Sequence, residues 1–336
     1  MTRIDLKPLD QQVVVVIGAT SGIGRATVNR LADRRARMVL SARSEADLLA
    51  ASSEALGRGA PDVRTVAGDV ASFDVMEQVA QVAMDAFGRI DTWAHIAGVD
   101  LWGRFLETSP EEFRRVIDVN LIGVANGLRS ALPRIRGGGG GAAIVVSSVE
   151  AEVPLPDQSA YAASKHGVNG LVRSIRMELQ HDDVPIALTQ ILPASIGTPL
   201  FDVARTTFGR DARPVPPVYD PEVPAGLICH AAEHASRELY AGGFGWLMGM
   251  TTKLLPRVAE AVVGRVATPI QRSGPPSGPD KDDNLVAPAV GVGSVRGSVT
   301  GRRASVASIA QTTPVAVRAA LVALVGILVA ARVRRS

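Results

Sequence analysis

Cysteine is almost missing from this 336-residue chain. The single one, Cys229, excludes an intramolecular disulfide framework and fits a reducing compartment. Aromatic residues are scarce, at 4%, so a core has to be built mainly from Ala, Val, Leu and Ile. The N-terminal MTRIDLKPLDQQ is polar and lacks the apolar run of a secretory signal, so a cytoplasmic location is expected. Most of the chain also lacks an excess of either charge. Residues 1–272 hold 28 Lys/Arg against 30 Asp/Glu, whereas residues 273–336 hold 8 against 3. The folded part thus has no electrostatic footprint for nucleic acid, and that partner is discounted. The basic end, beside apolar residues, suits a membrane surface instead.

What is present is organised around residues 13–25, VVVVIGATSGIGR. Four valines and Ile17 form a continuous apolar run, as a strand buried on both faces does. Gly18, Gly22 and Gly24 follow, with Ser21 and Ile23 among them, and then a helical pattern begins. In the context strand–turn–helix, such glycines bring backbone N–H groups close to a pyrophosphate at a helix N-terminus. The spacing is G-x3-G-x-G rather than G-x-G-x-x-G. Taken alone, it also fits an ordinary tight βα turn.

Downstream, strand patterns at 37–41, 62–67, 92–96, 143–147 and 185–190 alternate with helical ones at 23–36, 45–56, 73–87, 110–134 and 159–180. The alternation predicts an α/β fold with a parallel sheet covered on both faces. A Pro- and Arg-rich loop at 199–224 and a late helix at 224–240 follow.

Several residues along this frame carry chemistry. After the second strand the chain reads Ser41-Ala42-Arg43, with no carboxylate to accept from a ribose 2′-OH. Arg43 can pair with a 2′-phosphate, which favours NADP(H) over NAD(H), or it is a solvated surface side chain. Asp69, with Val70, stands just past the third strand, at a ligand position or in a simple turn. Asn120 lies inside a long helix, with a role there or facing solvent. Tyr161 and Lys165 are four apart on one helical face. An ammonium beside a phenol, together with a cationic nicotinamide ring, stabilises the phenolate and makes the tyrosine a usable acid and base. His230-x-x-Glu233-His234 has the H-x-x-E-H pattern but no third ligand, and no metal is expected.

Taken together and in order, Gly18/Gly22/Gly24, Asp69-Val70, Ala97-Gly98, Asn120, Ser148, Tyr161-x3-Lys165 and Pro193…Thr198 resemble the short-chain dehydrogenase/reductase family over roughly residues 10–245. The resemblance implies a doubly wound Rossmann-type sheet of about seven parallel strands, with the site at their C-terminal ends. It implies an oxidoreductase that moves hydride between NADP(H) and a carbonyl or secondary alcohol. Tyr161 would be the general acid/base, Lys165 would lower its pKa and hold the nicotinamide ribose, and Ser148 would bond the substrate oxygen. Asn120 would hold a water. Gly18, Ser21, Gly22, Ile23, Gly24, Arg43, Asp69, Val70, Ala97, Gly98, Asn120, Tyr161, Lys165, Pro193 and Thr198 would bind the cofactor. The family resemblance also implies a homo-oligomer.

Four positions depart from the family pattern: Ile17 replaces Thr, His95-Ile96 replaces Asn-Asn, and Ala194 replaces Gly. With the altered His95-Ile96 and the unusual tail, a catalytically weak nucleotide-binding scaffold held at a membrane is the alternative reading. Residues 1–272 are expected to form one oxidoreductase domain with a helical extension from about 240, which walls the pocket or opens as an apolar substrate entrance. Residues 273–313, rich in Gly, Pro and Ser, read as a disordered linker. Residues 314–336 hold AALVALVGILVAA (319–331) between Arg318 and Arg332. It is short for a spanning helix, and a membrane anchor, a peripheral helix or one docked on another protein all fit.

Overall fold

In the computed structural model, which describes residues 4–243, 249, 251, 252, 254–278, 281–289 and 293–313, the apolar run forms the middle of a seven-stranded sheet. All five residues of β1 (Val13–Ile17) are buried. Val14 and Val16 enter one core, and Val15 and Ile17 the other. A strand between two helical layers must be apolar on both faces, which is why no alternation shows in its sequence. Burial of each such side chain contributes about 1.5–3 kcal/mol.

β2 (Arg37–Ala42) and β4 (Thr92–His95) flank β1 in parallel, with Val15 opposite Val39 on one side and Trp93 on the other. With β3 (Val63–Ala67), β5 (Gly141–Val146), β6 (Ile186–Pro193) and β7 (Glu238–Ala241) the order is β3-β2-β1-β4-β5-β6-β7, parallel throughout. The strand order reverses between β1 and β4, where open α/β sheets form their ligand crevice.

Helices α1 (Gly22–Asp33) and α2 (Glu45–Gly57) cover one face through Val28, Leu31 and Leu48. Helix α3 (Phe73–Phe87) covers the other through Met76 and Val79. The doubly wound Rossmann-type architecture is therefore present. The helix expected over 110–134 is interrupted. α4 (Pro110–Ile117) opens with a reciprocal Ser109–Glu112 capping box, and a π turn, Asp118–Ile122, separates it from α5 (Gly123–Gly137). α6 (Ser159–His181) follows β5.

The late helix also differs. The loop at 199–224 contains a short helix, α7 (Leu200–Val203), and Arg205–Thr206 pairs with Leu101–Trp102. Helix α8 (Glu222–Glu233) stops seven residues before the expected end, at 240. Glu238–Ala241 is instead the seventh strand, with Leu239 and Ala241 buried and Glu238 and Tyr240 half-buried. Four residues with period two are too few to be told from a helix end by pattern. α9 (Pro256–Gln271) and α10 (Val306–Thr312) follow.

The described part of 273–313 lies along the domain where composition reads a disordered linker. Leu285 is buried in the core, Lys281 pairs with Asp211 at 2.6 Å and Arg296 with Asp220 at 2.7 Å. One leucine and a few ion pairs dock a chain too polar to announce itself. The apolar stretch in 314–336 lies outside the described residues. Among the described residues no helix is long and apolar enough to cross a membrane.

Candidate active site

A cleft of about 210 Å³ lies over the C-terminal ends of β1, β2 and β3. The glycine turn forms its floor. Gly18 has φ +86°, and a Cβ there would stand 2.6 Å from the Ala97 nitrogen; a Cβ at Gly24 would meet the Gly18 oxygen at 1.8 Å. These glycines are required so that the loop can fold back on β4 and on itself. Ser21, Gly22, Ile23, Arg43, Asp69, Val70, Ala97, Gly98 and Thr198 also line the cleft. Pro193, Tyr161 and Lys165 face a second cavity beside it.

The cleft's polar groups are held by the C-terminal stretch. The Gly22 N–H donates to the Ser294 oxygen at 2.9 Å. Arg43 donates to the Asn284 and Val286 oxygens at 2.7 and 3.1 Å. Arg115 donates to the Leu285 oxygen at 2.9 Å and pairs with Asp69. Burial opposes the charge on Asp69, but the Arg115 hydrogen bond, the Ala71 N–H and the charges of Arg115 and Arg43 together outweigh it and hold the carboxyl below its usual value. Burial first, then Arg115, lowers the basicity of Arg43, which remains cationic. Two guanidiniums and a loop N–H, here met by carbonyl oxygens, are donors of the kind that phosphate oxygens accept from, and the Asp69 carboxylate beside them is an acceptor. The residues therefore fit a dinucleotide.

The reacting groups lie in the second cavity, of about 400 Å³, which adjoins the cleft at Ile23, Ile96, Gly98 and Thr198. α6 carries Tyr161 and Lys165, with the Lys165 Nζ 5.4 Å from the centre of the Tyr161 ring. Lys165 donates to the Val146 oxygen at 3.2 Å. Ser148 starts the short turn Val149–Ala151, and its Oγ accepts from the Glu150 N–H at 3.1 Å. The Ser148 hydroxyl stands close enough to Tyr161 to pull its phenol down. Ser147 instead donates to Asn169. Asn120, fully buried by the π turn, brackets Val99 with two hydrogen bonds of 2.9 Å and donates to Ser164. A Cβ on Gly98 would sit 3.3 Å from Asn120 Oδ1 and 3.7 Å from Lys165 Nζ. Its hydrogen side chain leaves room where the cleft meets the lysine.

The electrostatics differ from the expected phenol-lowering pair. Burial, then Asp100 and Glu150, push Tyr161 well above its ordinary value, and only Ser148 pulls it down. Burial lowers Lys165 to about 8 against the pull of the same two acids. With protein groups alone the phenol is a well-protected proton donor; the phenolate needs a further positive charge.

Asp100 and Glu150 were not singled out by the sequence pattern, nor were Arg115, Gln158 and Gln271. Gln158 donates to Asp100 at 2.6 Å, and Gln271 donates to Gln158 at 2.5 Å. The one hint is position: Asp100 follows Ala97-Gly98, and Glu150 follows Ser148, by two residues each. Cys229 is buried and its thiol is pushed up to about 12 by burial, so it is no nucleophile at neutral pH. In the H-x-x-E-H stretch the two imidazoles stack at 4.4 Å, and Glu233 accepts from the Leu9 N–H.

Comparison with known proteins agrees with this geometry. The family model for short chain dehydrogenases matches residues 12–207. An oxidoreductase of Bacillus subtilis, YxnA, is 32% identical over 286 residues, covering 84% of this chain and 80% of that protein. The alcohol dehydrogenase of Thermococcus sibiricus, solved with 5-hydroxy-NADP, is 25% identical with a TM-score of 0.60, over 68% of this chain and 95% of that one. A short chain dehydrogenase/reductase of Burkholderia phymatum, solved with NAD, shares the fold at a TM-score of 0.68 and 23% identity, over 75% of this chain and 96% of that one.

Proposed function

This chain belongs to the short-chain dehydrogenase family, and from that premise we propose that it is an NADP(H)-dependent oxidoreductase acting on a carbonyl or secondary alcohol. The observation that carries the reading is the meeting of Ser148, Tyr161 and Lys165 in a largely apolar cavity that adjoins the glycine-floored cleft.

The glycine turn, Asp69, Thr198 and Lys165 would hold the nicotinamide cofactor, which when bound would supply or accept a hydride. The chain's own groups handle the oxygen. In reduction, the Ser148 hydroxyl and the Tyr161 phenol donate to the carbonyl oxygen, and the Tyr161 proton passes to that oxygen as it gains negative charge. A phenol raised by burial and by two acids keeps its proton until then. The Lys165 ammonium stabilises the phenolate left behind. Trp102, Pro193, Ile196 and Phe201 give the cavity an apolar lining beside the reacting groups. Arg43 beside Arg115 supports NADP(H): both guanidiniums line one end of the cleft, with Asp69 and Asp283 the acids that act on Arg43 there.

Fluorescence titration of the full chain with NADPH and NADH is the test, because Asn284, Pro288 and Ala289 belong to the cleft wall. NADPH is expected to bind at least about tenfold tighter, and Arg43→Ala should abolish that advantage. Equal loss for both nucleotides rejects the 2′-phosphate role. Tyr161→Phe should bind NADPH normally and lose about 10²–10⁴ in carbonyl reduction. Turnover near that of the unmodified enzyme rejects the mechanism.

A further inference from the structure

The apolar cavity contains one polar wall outside the Ser148–Tyr161–Lys165 set. Asp100 and Glu150 are 2% and 8% exposed, and Gln271 is 1% exposed; all three line the cavity. Gln158 joins them: it donates to Asp100 Oδ2, accepts from Gln271, and stands close enough to Glu150 to favour its charged form. The Leu101 N–H satisfies the other Asp100 oxygen at 2.7 Å. Two acceptors remain without a partner, Glu150 Oε2 and Gln271 Oε1. A buried acceptor left unpaired costs about 1–3 kcal/mol, more if charged. Such a cost at two atoms of one network, both on a ligand cavity, marks a place where a ligand completes the bonding.

We infer that Glu150 and Gln271 form a specificity subsite for a hydroxyl group on an otherwise apolar substrate, separate from the oxygen that Ser148 and Tyr161 hold. The inference rests on the carbonyl-reductase reading above. The chemistry selects a hydroxyl over an ammonium. Lys165 stands close enough to act on both acids, so a second cation would be repelled. Burial, and for Glu150 the neighbouring Asp100, also favours the protonated acids. A hydroxyl both donates and accepts, so it suits Glu150 in either form. The remaining wall, with Trp102, Val153, Leu155 and Phe201, matches a compact hydrocarbon frame. The preferred substrate is then a hydroxy-ketone or a diol of alicyclic size.

The test measures kcat/KM of the full chain on decalones and on the same decalones bearing one ring hydroxyl. The best hydroxylated member should exceed its parent at least about tenfold, since a site built to bond a hydroxyl discriminates against its absence. In Glu150→Leu that ratio should collapse to about one, and in Glu150→Gln and Gln271→Leu it should fall part-way. The last two variants decide the matter if Glu150→Leu does not fold by circular dichroism. A ratio near one in the unmodified enzyme, or an unchanged ratio in the variants, overturns the subsite and leaves the reductase reading standing. No reduction of any decalone with either nucleotide overturns the reductase reading and the subsite with it.

Discussion

His95 stands where the resembled family has Asn, and it shows what one substitution does in a central strand. It is 1% exposed, neither ring nitrogen has a partner among the described residues, and burial and then Lys165 lower its pKa to about 3. It is a neutral filler between β4 and α5, where a Cβ on Gly127 would meet its Nδ1 at 2.6 Å. The unfolded chain binds this proton near pH 6.5 and the folded one only near 3. Its contribution is therefore fully present above about 6.5 and declines by about 1.4 kcal/mol per pH unit below it. His230 is lowered too, chiefly by burial, so the acid-side slope has more than one source. Thermal melts from pH 7 to 5 separate them. His95→Phe, which removes both unpaired nitrogens, should lose clearly less stability over that range than the unmodified protein. Equal losses would mean that His95 is hydrated or paired in solution.

Among the segments, the described residues 281–289 and 293–297 change the meaning of the site most. Their carbonyls occupy the Gly22 N–H, Arg43 and Arg115. Leu285 anchors them at 2% exposure in the core under α3 to α6. Leu285→Ala should cost about 2–5 kcal/mol and lower the melting temperature by several degrees. An unchanged melting temperature would show that the segment is not docked in solution. Composition cannot reveal such a segment, because its main bonds come from backbone carbonyls, which every residue carries. The seventh strand, Glu238–Ala241, escapes for a related reason. Its pairing partner is β6, whose Ile191 faces Leu239, and nothing local in ELYA demands extension.

Across the full assembly, the two cores, the cleft and the cavity arise from one arrangement: loops at the strand ends converge while helices seal both faces. The strand–turn–helix opening, the alternation of elements and the order of motifs were legible in the sequence because each depends on neighbours in the chain. An apolar run must be buried, a turn that folds onto itself needs glycine, and residues four apart share a helical face. Which groups meet was not legible. Asp100 reaches Gln158 from another loop, Arg43 meets Asn284 from the far end of the chain, and Asn120 is turned inward by a π turn. The direction of the Tyr161 shift belongs with these. A Tyr-x3-Lys spacing suggests a lowered phenol, yet burial and two carboxylates from distant loops push it up. Burial and through-space charge are sums over everything nearby in three dimensions, so chain neighbours determine the elements and folding alone determines the chemistry between them.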